Sequence, residues 1–260
     1  NTPKQILIKE ALGFNHPHYA HLPLILGPDR RKLSKRFLEN SLMDYKKSGY
    51  LSEAMLNFLV LLGWHPQEDR EVLSRDEMIE DFNLKRVQKG GGIFNPEKLD
   101  WLNSHYIKIA SNDYLFELLK EFVPSSWVDN PAKLKKIIDV ERNRLKYLAE
   151  FVGLTKFFFE LPEYSRGALI WKDMDNQAIL KNLKSTLEIL EKISQNEFLK
   201  ENIEKEISPL TRERGNGEVL WPLRVALSGQ RASPGPFEII DIFGAKESIS
   251  RIKNAIRKLE

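Results

Sequence analysis

Hydrophobic residues recur at helical spacing along most of the chain. From Leu51, apolar residues stand at i, i+3, i+4, i+7, i+8 and i+11, with Ser52 as a possible cap and Gly63 as a natural stop. A second regular stripe comprises Ile179, Leu183, Thr186, Leu190 and Ile193. This spacing places apolar side chains on one face of a helix. The pattern therefore predicts a mostly α protein.

Residues typical of helix starts precede further apolar stretches. These starts are Thr2-Pro3, Ser74 with Glu77 in capping-box spacing, Asn95-Pro96, Ser111, and Asn130-Pro131. Two breaks are also predicted, a flexible loop from Arg214 to Gly217 and a stiff turn from Ser233 to Pro236. We therefore expect about a dozen helices joined by short connections.

The run from His21 to Leu26 is the best strand candidate, because it is short, apolar and followed by Gly27-Pro28. A strand must pair with another strand, and the sequence predicts no second one. We therefore expect its sheet to lie upstream of residue 1, which would make this chain the C-terminal part of a larger protein.

Composition narrows the class of protein. Of 260 residues, 42% are hydrophobic and 30% charged, as in ordinary globular proteins. No apolar run approaches 18 residues, so no membrane span is predicted. The absence of cysteine excludes disulfides and thiolate metal sites, and fits a cytoplasmic location. His16, His18 and His21 crowd together, but their spacing shares no face of a helix or strand, so no protein-bound metal is predicted.

The segment Asp29–Arg36 concentrates positive charge. It holds five cations and one carboxylate, while the whole chain has a net charge of only +3. Lys32, Ser34 and Lys35 are suited to bind phosphate oxygens through charge-assisted hydrogen bonds. The alternative from charge alone is a solvated basic turn.

A second basic region runs from Lys133 to Lys146. It is either a solvated helix face or a surface that faces RNA. Helical spacing predicts that Arg142 and Lys146 share a face and that Arg144 points nearly opposite. Arg224 is a weaker candidate, and the basic final helix, which includes Arg251, is expected to be solvated.

The motif Lys32-Leu-Ser-Lys-Arg36 resembles the Lys-Met-Ser-Lys-Ser signature of class I aminoacyl-tRNA synthetases, whose loop grips ATP phosphates. Longer blocks resemble bacterial glutamyl-tRNA synthetases and stand in that family's order. They are Asn1–Ile6, His21–Arg36, Phe94–Asn103, Trp221–Gly229 and Ser233–Glu238. Glutaminyl and eukaryotic-type enzymes carry β-barrels in the last region, and this sequence predicts none.

The resemblance implies an architecture and a set of partners. Residues 1–110 would hold the end of a class I catalytic core and a helical stem-contact region, with Gly90–Gly92 as a connection. Residues 111–170 and 171–260 would form two all-helical anticodon-binding domains. The expected ligands are ATP with Mg²⁺, glutamate and the tRNA for glutamate, in a cytoplasmic monomer.

It also implies roles for individual residues. Lys32 and Lys35 would act in catalysis, and the ATP-binding residues would be Lys32, Leu33, Ser34, Lys35 and Arg36. Arg144 would read the third anticodon base, as in enzymes that charge only the glutamate tRNA, with Arg142 as second choice. Lys146 and Arg224 would be further RNA contacts.

One departure limits the expected activity. The family's His-Ile-Gly-His motif does not occur in these 260 residues, and neither does the glutamate-binding arginine of its N-terminal half. We therefore expect that this chain alone neither activates glutamate nor charges tRNA. The alternatives left open are a non-catalytic helical RNA-binding module and a helical protein-interaction scaffold.

Overall fold

A computed structural model describes residues 1–33 and 41–260. These ranges are mostly helical, as predicted. Their α-helices are α1 (Thr2–Ala11), α2 (Leu42–Ser48), α3 (Ser52–Gly63), α4 (Arg75–Asp81), α5 (Pro96–Ile109), α6 (Asn112–Leu119), α7 (Ser125–Val128), α8 (Pro131–Glu141), α9 (Glu150–Thr155), α10 (Asn176–Lys192), α11 (Lys200–Arg214), α12 (Asn216–Ser228) and α13 (Pro236–Leu259). Short 3-10 helices cover Leu84–Arg86, Arg142–Arg144, Lys156–Phe158, Arg166–Leu169 and Gln195–Glu197.

The predicted helix starts are confirmed. Ser74 accepts a hydrogen bond from the backbone of Glu77, whose carboxylate accepts one from the Ser74 N–H, so the capping box is complete. Ser111 caps α6, and Asn130 caps α8 before Pro131. Each cap satisfies N–H groups that have no partner inside the helix. The turn before α13 also forms as predicted, and Pro236 is the first residue of α13.

Two local predictions are wrong. Within the described ranges, His21–Leu26 forms no strand, since only Leu26 makes isolated bridges, one antiparallel to Lys32 and one parallel to Ile93. A tight turn and a glycine-rich segment are its partners there, and neither offers a continuous ladder. The predicted loop at Arg214–Gly217 is a single residue, because Gly215 adopts a φ of 99° and reverses the chain between α11 and α12.

The chain divides into two compact units. Unit 1 comprises residues 1–41 and 52–102, apart from the residues outside the described ranges. Its α3 and α4 pack together around buried Trp64, Leu73 and Met78. The amide oxygen of buried Asn57 accepts a hydrogen bond from the Leu73 N–H at 2.9 Å, which fixes the chain leading into α4.

Unit 2 comprises residues 42–51 and 103–260. In its first part α8 packs against α6, α7 and α9, and in its second part α10, α11, α12 and α13 pack on one another. Helix α13 also contacts α8 and so joins the two parts. At Gly244 the φ of 71° and ψ of 179° interrupt the helical geometry of α13, which produces a kink.

None of the helices in the described part of the chain is long and apolar enough to cross a lipid bilayer.

Candidate nucleic-acid interface

The start of the basic segment is a tight turn fixed by its own backbone. The Leu33 N–H donates to the Ile25 carbonyl at 3.1 Å, and the Gly27 N–H donates to the Arg31 carbonyl at 2.8 Å. Arg30, at the tip, has a φ of 61°, which is the left-handed conformation. These bonds define a hairpin-like turn over residues 25–33.

Cations project from this turn into solvent. Arg30, Arg31 and Lys32 are exposed, and the carboxylate of Asp29 accepts a hydrogen bond from the Arg31 N–H at 3.0 Å. Side-chain ammonium and guanidinium groups presented in this way suit the oxygens of a phosphate. The predicted phosphate ligands Ser34, Lys35 and Arg36 lie outside the described residues.

The glycine run at Gly90–Gly92 supports the base of this turn. The Leu26 N–H donates to the Gly92 carbonyl at 2.9 Å, and the Leu26 carbonyl accepts from the Phe94 N–H at 2.8 Å. A Cβ on Gly91 would lie 2.7 Å from the Leu24 carbonyl oxygen, and one on Gly92 would overlap the Leu62 carbonyl. Close backbone approach therefore explains both glycines.

The second basic region does not form the continuous helix that its spacing predicted. Helix α8 ends at Glu141, residues Arg142–Arg144 form a 3-10 turn, and Leu145 is extended with a ψ of 133°. The predicted shared face of Arg142 and Lys146 depended on α-helical geometry through Leu145. That prediction is wrong, since the chain from Arg142 to Lys146 is not α-helical.

Arg144 is held by two partners. Its Nη1 donates to Glu141 Oε1 at 3.0 Å and to Oε2 at 2.8 Å, and its Nη2 donates to the Ala232 carbonyl at 3.1 Å. The Glu141 side chain is 0% exposed, while that of Arg144 is 28% exposed. The guanidinium therefore sits at the surface above a buried carboxylate.

The buried position changes the acidity of this carboxylate. Loss of hydration raises the pKa of Glu141 to about 7, although the charge and hydrogen bonds of Arg144 pull the pKa down. The neighbouring carboxylate of Glu238 adds a smaller upward effect on the pKa. The bond to Arg144 thus offsets part of the free-energy cost of burying the Glu141 carboxylate.

The other cations of this region have different surroundings. The Nη2 of half-buried Arg142 donates to the Ala110 carbonyl at 2.5 Å. The side chain of Lys146 is exposed, and its backbone N–H donates to Glu150 at 2.8 Å. Arg144 and Lys146 therefore present charge at the surface, whereas half-buried Arg142 is bound to a backbone carbonyl.

Arg224 lies half-buried on α12, between the fully buried Leu223 and Val225. Its Nε is buried and has no hydrogen-bond partner within the part of the chain that the structure describes. Leu223 and Val225 belong to the core, and Arg224 stays a candidate contact at the edge of that core.

The final helix is not uniformly solvated, so the expectation is wrong at Arg251. This side chain is 3% exposed, and its Nη1 donates to the carbonyls of Phe157 and Leu227, each at 2.7 Å. Its Cζ also lies 4.1 Å from the centroid of the Phe243 ring. Arg251 is thus a buried structural contact that joins α13 to the end of α12 and to the 3-10 turn at Lys156–Phe158.

Sequence reasoning missed the groups that fix the site. In the sequence Glu141 is one acidic residue in a basic region, and its i,i+3 spacing from Arg144 is the one signal of a pair. The Ala232 carbonyl comes from 88 residues away, and no sequence pattern marks it. Within the described ranges no group of three or more His, Cys, Asp or Glu is placed to hold a metal ion.

Two family profiles match the chain. Residues 114–256 match the anticodon binding domain, and residues 1–101 match the catalytic domain of class I tRNA synthetases (E and Q). Among solved structures, a glutamate tRNA ligase from Elizabethkingia meningosepticum in complex with its amino acid has a TM-score of 0.81 and 30% identity. The superposition covers 100% of this chain and 56% of the Elizabethkingia protein's chain.

Curated relatives give the same picture. Glutamate–tRNA ligase 2 of Caldicellulosiruptor saccharolyticus is 36% identical over 99% of this chain and 54% of its own length. Glutamate–tRNA ligase of Thermodesulfovibrio yellowstonii is 37% identical over 98% of this chain and 56% of its own length. The chain therefore spans about half the length of these relatives. Because the first profile covers more than half of its residues, the chain belongs to the anticodon binding domain family.

Proposed function

We propose that this chain is the tRNA-recognising part of a bacterial glutamate–tRNA ligase, an enzyme that uses ATP to attach glutamate to its tRNA. The observation that carries the proposal is similarity to such ligases, at 36% and 37% identity, over 99% and 98% of the chain. The helical architecture of unit 2 and its membership of the anticodon binding domain family support it.

In this proposal the chain has three functional regions. Residues 1–110 provide the end of the catalytic region and the contact to the tRNA stem, and residues 111–170 and 171–260 provide two anticodon-binding domains. The change from α8 and α9 to the α10–α13 group supports a division near residue 170. We further propose a cytoplasmic monomer.

The turn over residues 25–33 would deliver cations to ATP. Lys32 and Lys35 would stabilise negative charge on the phosphates as pyrophosphate leaves, and Leu33, Ser34 and Arg36 would complete the loop of the Lys-Met-Ser-Lys-Ser type. The described part of the turn offers exposed cations, which suit phosphate oxygens and do not suit a metal ion. Mg²⁺ would accordingly arrive with ATP and neutralise phosphate charge.

The second basic region would contact the anticodon loop. Arg144 has a 28% exposed side chain and spare N–H donors, so it can hydrogen-bond or stack on the third anticodon base. Exposed Lys146 and the less exposed Arg142 and Arg224 would contact the sugar-phosphate backbone. Base contacts would give specificity, and phosphate contacts would give affinity that falls with salt.

The test is filter binding of the 260-residue chain to glutamate tRNA, to the same tRNA with its anticodon replaced, and to each at several salt concentrations. We expect tighter binding to the natural anticodon at every salt concentration. Equal binding to both RNAs with a steep salt dependence would instead indicate a generic RNA-binding module. No binding to either would indicate a protein-interaction scaffold.

A parallel assay addresses catalysis. Because the chain has no His-Ile-Gly-His motif, we expect no exchange of pyrophosphate into ATP in the presence of glutamate and tRNA. Measurable exchange by this polypeptide alone would contradict the assignment of its role.

A further inference from the structure

The guanidinium of Arg144 is held from two directions. Buried Glu141 closes the end of α8 and binds Nη1 with both carboxylate oxygens, at 3.0 and 2.8 Å. The Ala232 carbonyl, in the turn between α12 and α13, binds Nη2 at 3.1 Å. One side chain thus connects two segments that are 88 residues apart in sequence.

This arrangement leaves the arginine oriented but not saturated. A guanidinium is planar and carries five N–H donors. Its three hydrogen bonds to the residues that the structure describes use at most three of them, so at least two donors remain for an incoming acceptor. Because both Nη atoms are held, the direction of the remaining donors is fixed before any ligand arrives.

Burial of the Glu141 carboxylate lowers the stability of the fold, so stability alone does not explain it. Glu141 is 0% exposed, and removal of a carboxylate from water carries a penalty that an ion pair only partly repays. An apolar side chain at the end of α8 would bury without that penalty. The cost is consistent with a role in orienting Arg144 rather than in packing.

We propose that Glu141 is a positioning residue that determines specificity by holding Arg144 in one orientation for the third anticodon base. This inference rests on the proposed function of Arg144 as the residue that contacts that base. Glu141 itself touches no RNA in this proposal, since its side chain is buried.

The test is Glu141→Gln in the 260-residue chain, with binding measured to glutamate tRNA and to a variant changed only at the third anticodon base. We expect the ratio of the two affinities to fall by about tenfold toward unity, as for loss of a directed base contact. The matched control is Glu247→Gln, which removes a carboxylate bound to another arginine, Arg251, at 2.7 Å. We expect this control to keep the ratio of the unchanged chain.

Three outcomes bear on the proposal. A ratio that persists in Glu141→Gln while the variant is folded would overturn the positioning role and leave the proposed function intact. A ratio that falls equally in Glu247→Gln would also overturn it, because the effect would then be general. If the unchanged chain shows no preference at the third anticodon base, the proposed role of Arg144 itself is contradicted.

A second measurement serves if the Gln variant does not fold. In the unchanged chain, ¹⁵N NMR of the arginine side chains should show hindered rotation about Cζ–Nη for Arg144 and slow exchange of its Nη hydrogens. Fast rotation and fast exchange at Arg144, comparable with exposed Arg231, would contradict the proposal.

Discussion

The side-chain oxygen of Asn103 accepts a hydrogen bond from the backbone N–H of Leu51 at 2.8 Å. On its other side, Asn103 Nδ2 donates to the Lys146 carbonyl at 2.5 Å, and the residue is 0% exposed. One buried amide thus connects Leu51 to the basic segment at Lys146, and all three residues belong to unit 2. This explains why an asparagine ends the block Phe94–Asn103.

Asn103→Ala should be strongly destabilising, because it removes the acceptor of the buried Leu51 N–H and the donor to the Lys146 carbonyl. We expect a loss of about 2–4 kcal/mol in the free energy of unfolding, measured by urea denaturation. Asn176→Ala, at an exposed position in the first turn of α10, is the control and should change the value by less than about 0.5 kcal/mol. Equal effects of the two substitutions would contradict the bridging role of Asn103.

The glycine run offers a matched pair of substitutions. Gly92→Ala would place a Cβ against the Leu62 carbonyl, whereas Gly90→Ala would meet nothing within 4 Å. We expect Gly92→Ala to cost about 1–3 kcal/mol and Gly90→Ala to be nearly neutral, by thermal unfolding. Hydrogen exchange at the Leu26 N–H, which bonds the Gly92 carbonyl, should accelerate only in the first variant. Undisturbed exchange there would mean that the close approach does not support the turn.

Glu141 predicts a specific pH dependence of stability. Its pKa rises from 4.5 to about 7 in the folded protein, so between those pH values the folded state holds a proton that the unfolded state has lost. The protonated carboxyl contributes stability that is complete below pH 4.5 and is lost as the pH rises to about 7. The contribution is about 3 kcal/mol.

The comparison is chemical denaturation of the unchanged chain and of Glu141→Gln at several pH values. The free energy of unfolding of the Gln variant should fall less steeply between pH 4.5 and 7, since it lacks the titrating group. Parallel curves for the two proteins would show that Glu141 has an ordinary pKa.

Arg251 should be important for stability despite its place in a basic helix. Arg251→Met would leave the carbonyls of Phe157 and Leu227 buried without donors, at an expected cost of about 2–4 kcal/mol. Lys253→Met, in the same helix, removes only a pair with Glu191 whose members are 51% and 43% exposed, and should cost less than about 1 kcal/mol. Urea denaturation of both variants provides the comparison.

Much of the helical fold could be predicted from short-range sequence patterns. The helices capped by Ser74 and Asn130 follow from caps and spacing within one turn, and the structure places them as predicted. The end of α8 was not predictable, because no glycine or proline marks Glu141 as its last residue. The strand at His21–Leu26 failed for a related reason, since pairing depends on partners that a local pattern does not contain.

The candidate site was predictable as a set of charges but not as a geometry. The basic composition around Arg144 marked the region, whereas the orientation of its side chain depends on the Ala232 carbonyl far along the chain. The same limit hid the structural role of Arg251, whose partners Phe157 and Leu227 precede it by 94 and 24 residues. Long-range contacts of this kind leave no periodic trace.

The most direct test of anticodon recognition is the effect of Arg144→Gln on affinity for glutamate tRNA and for variants at the third anticodon base. Arg144 is 28% exposed and keeps spare donors, so its loss should weaken binding to the natural base most. We expect the preference at that position to relax by about 1–3 kcal/mol, with smaller changes for the other bases. An equal loss of affinity for all variants would mean that Arg144 contacts only phosphate, and would contradict the account.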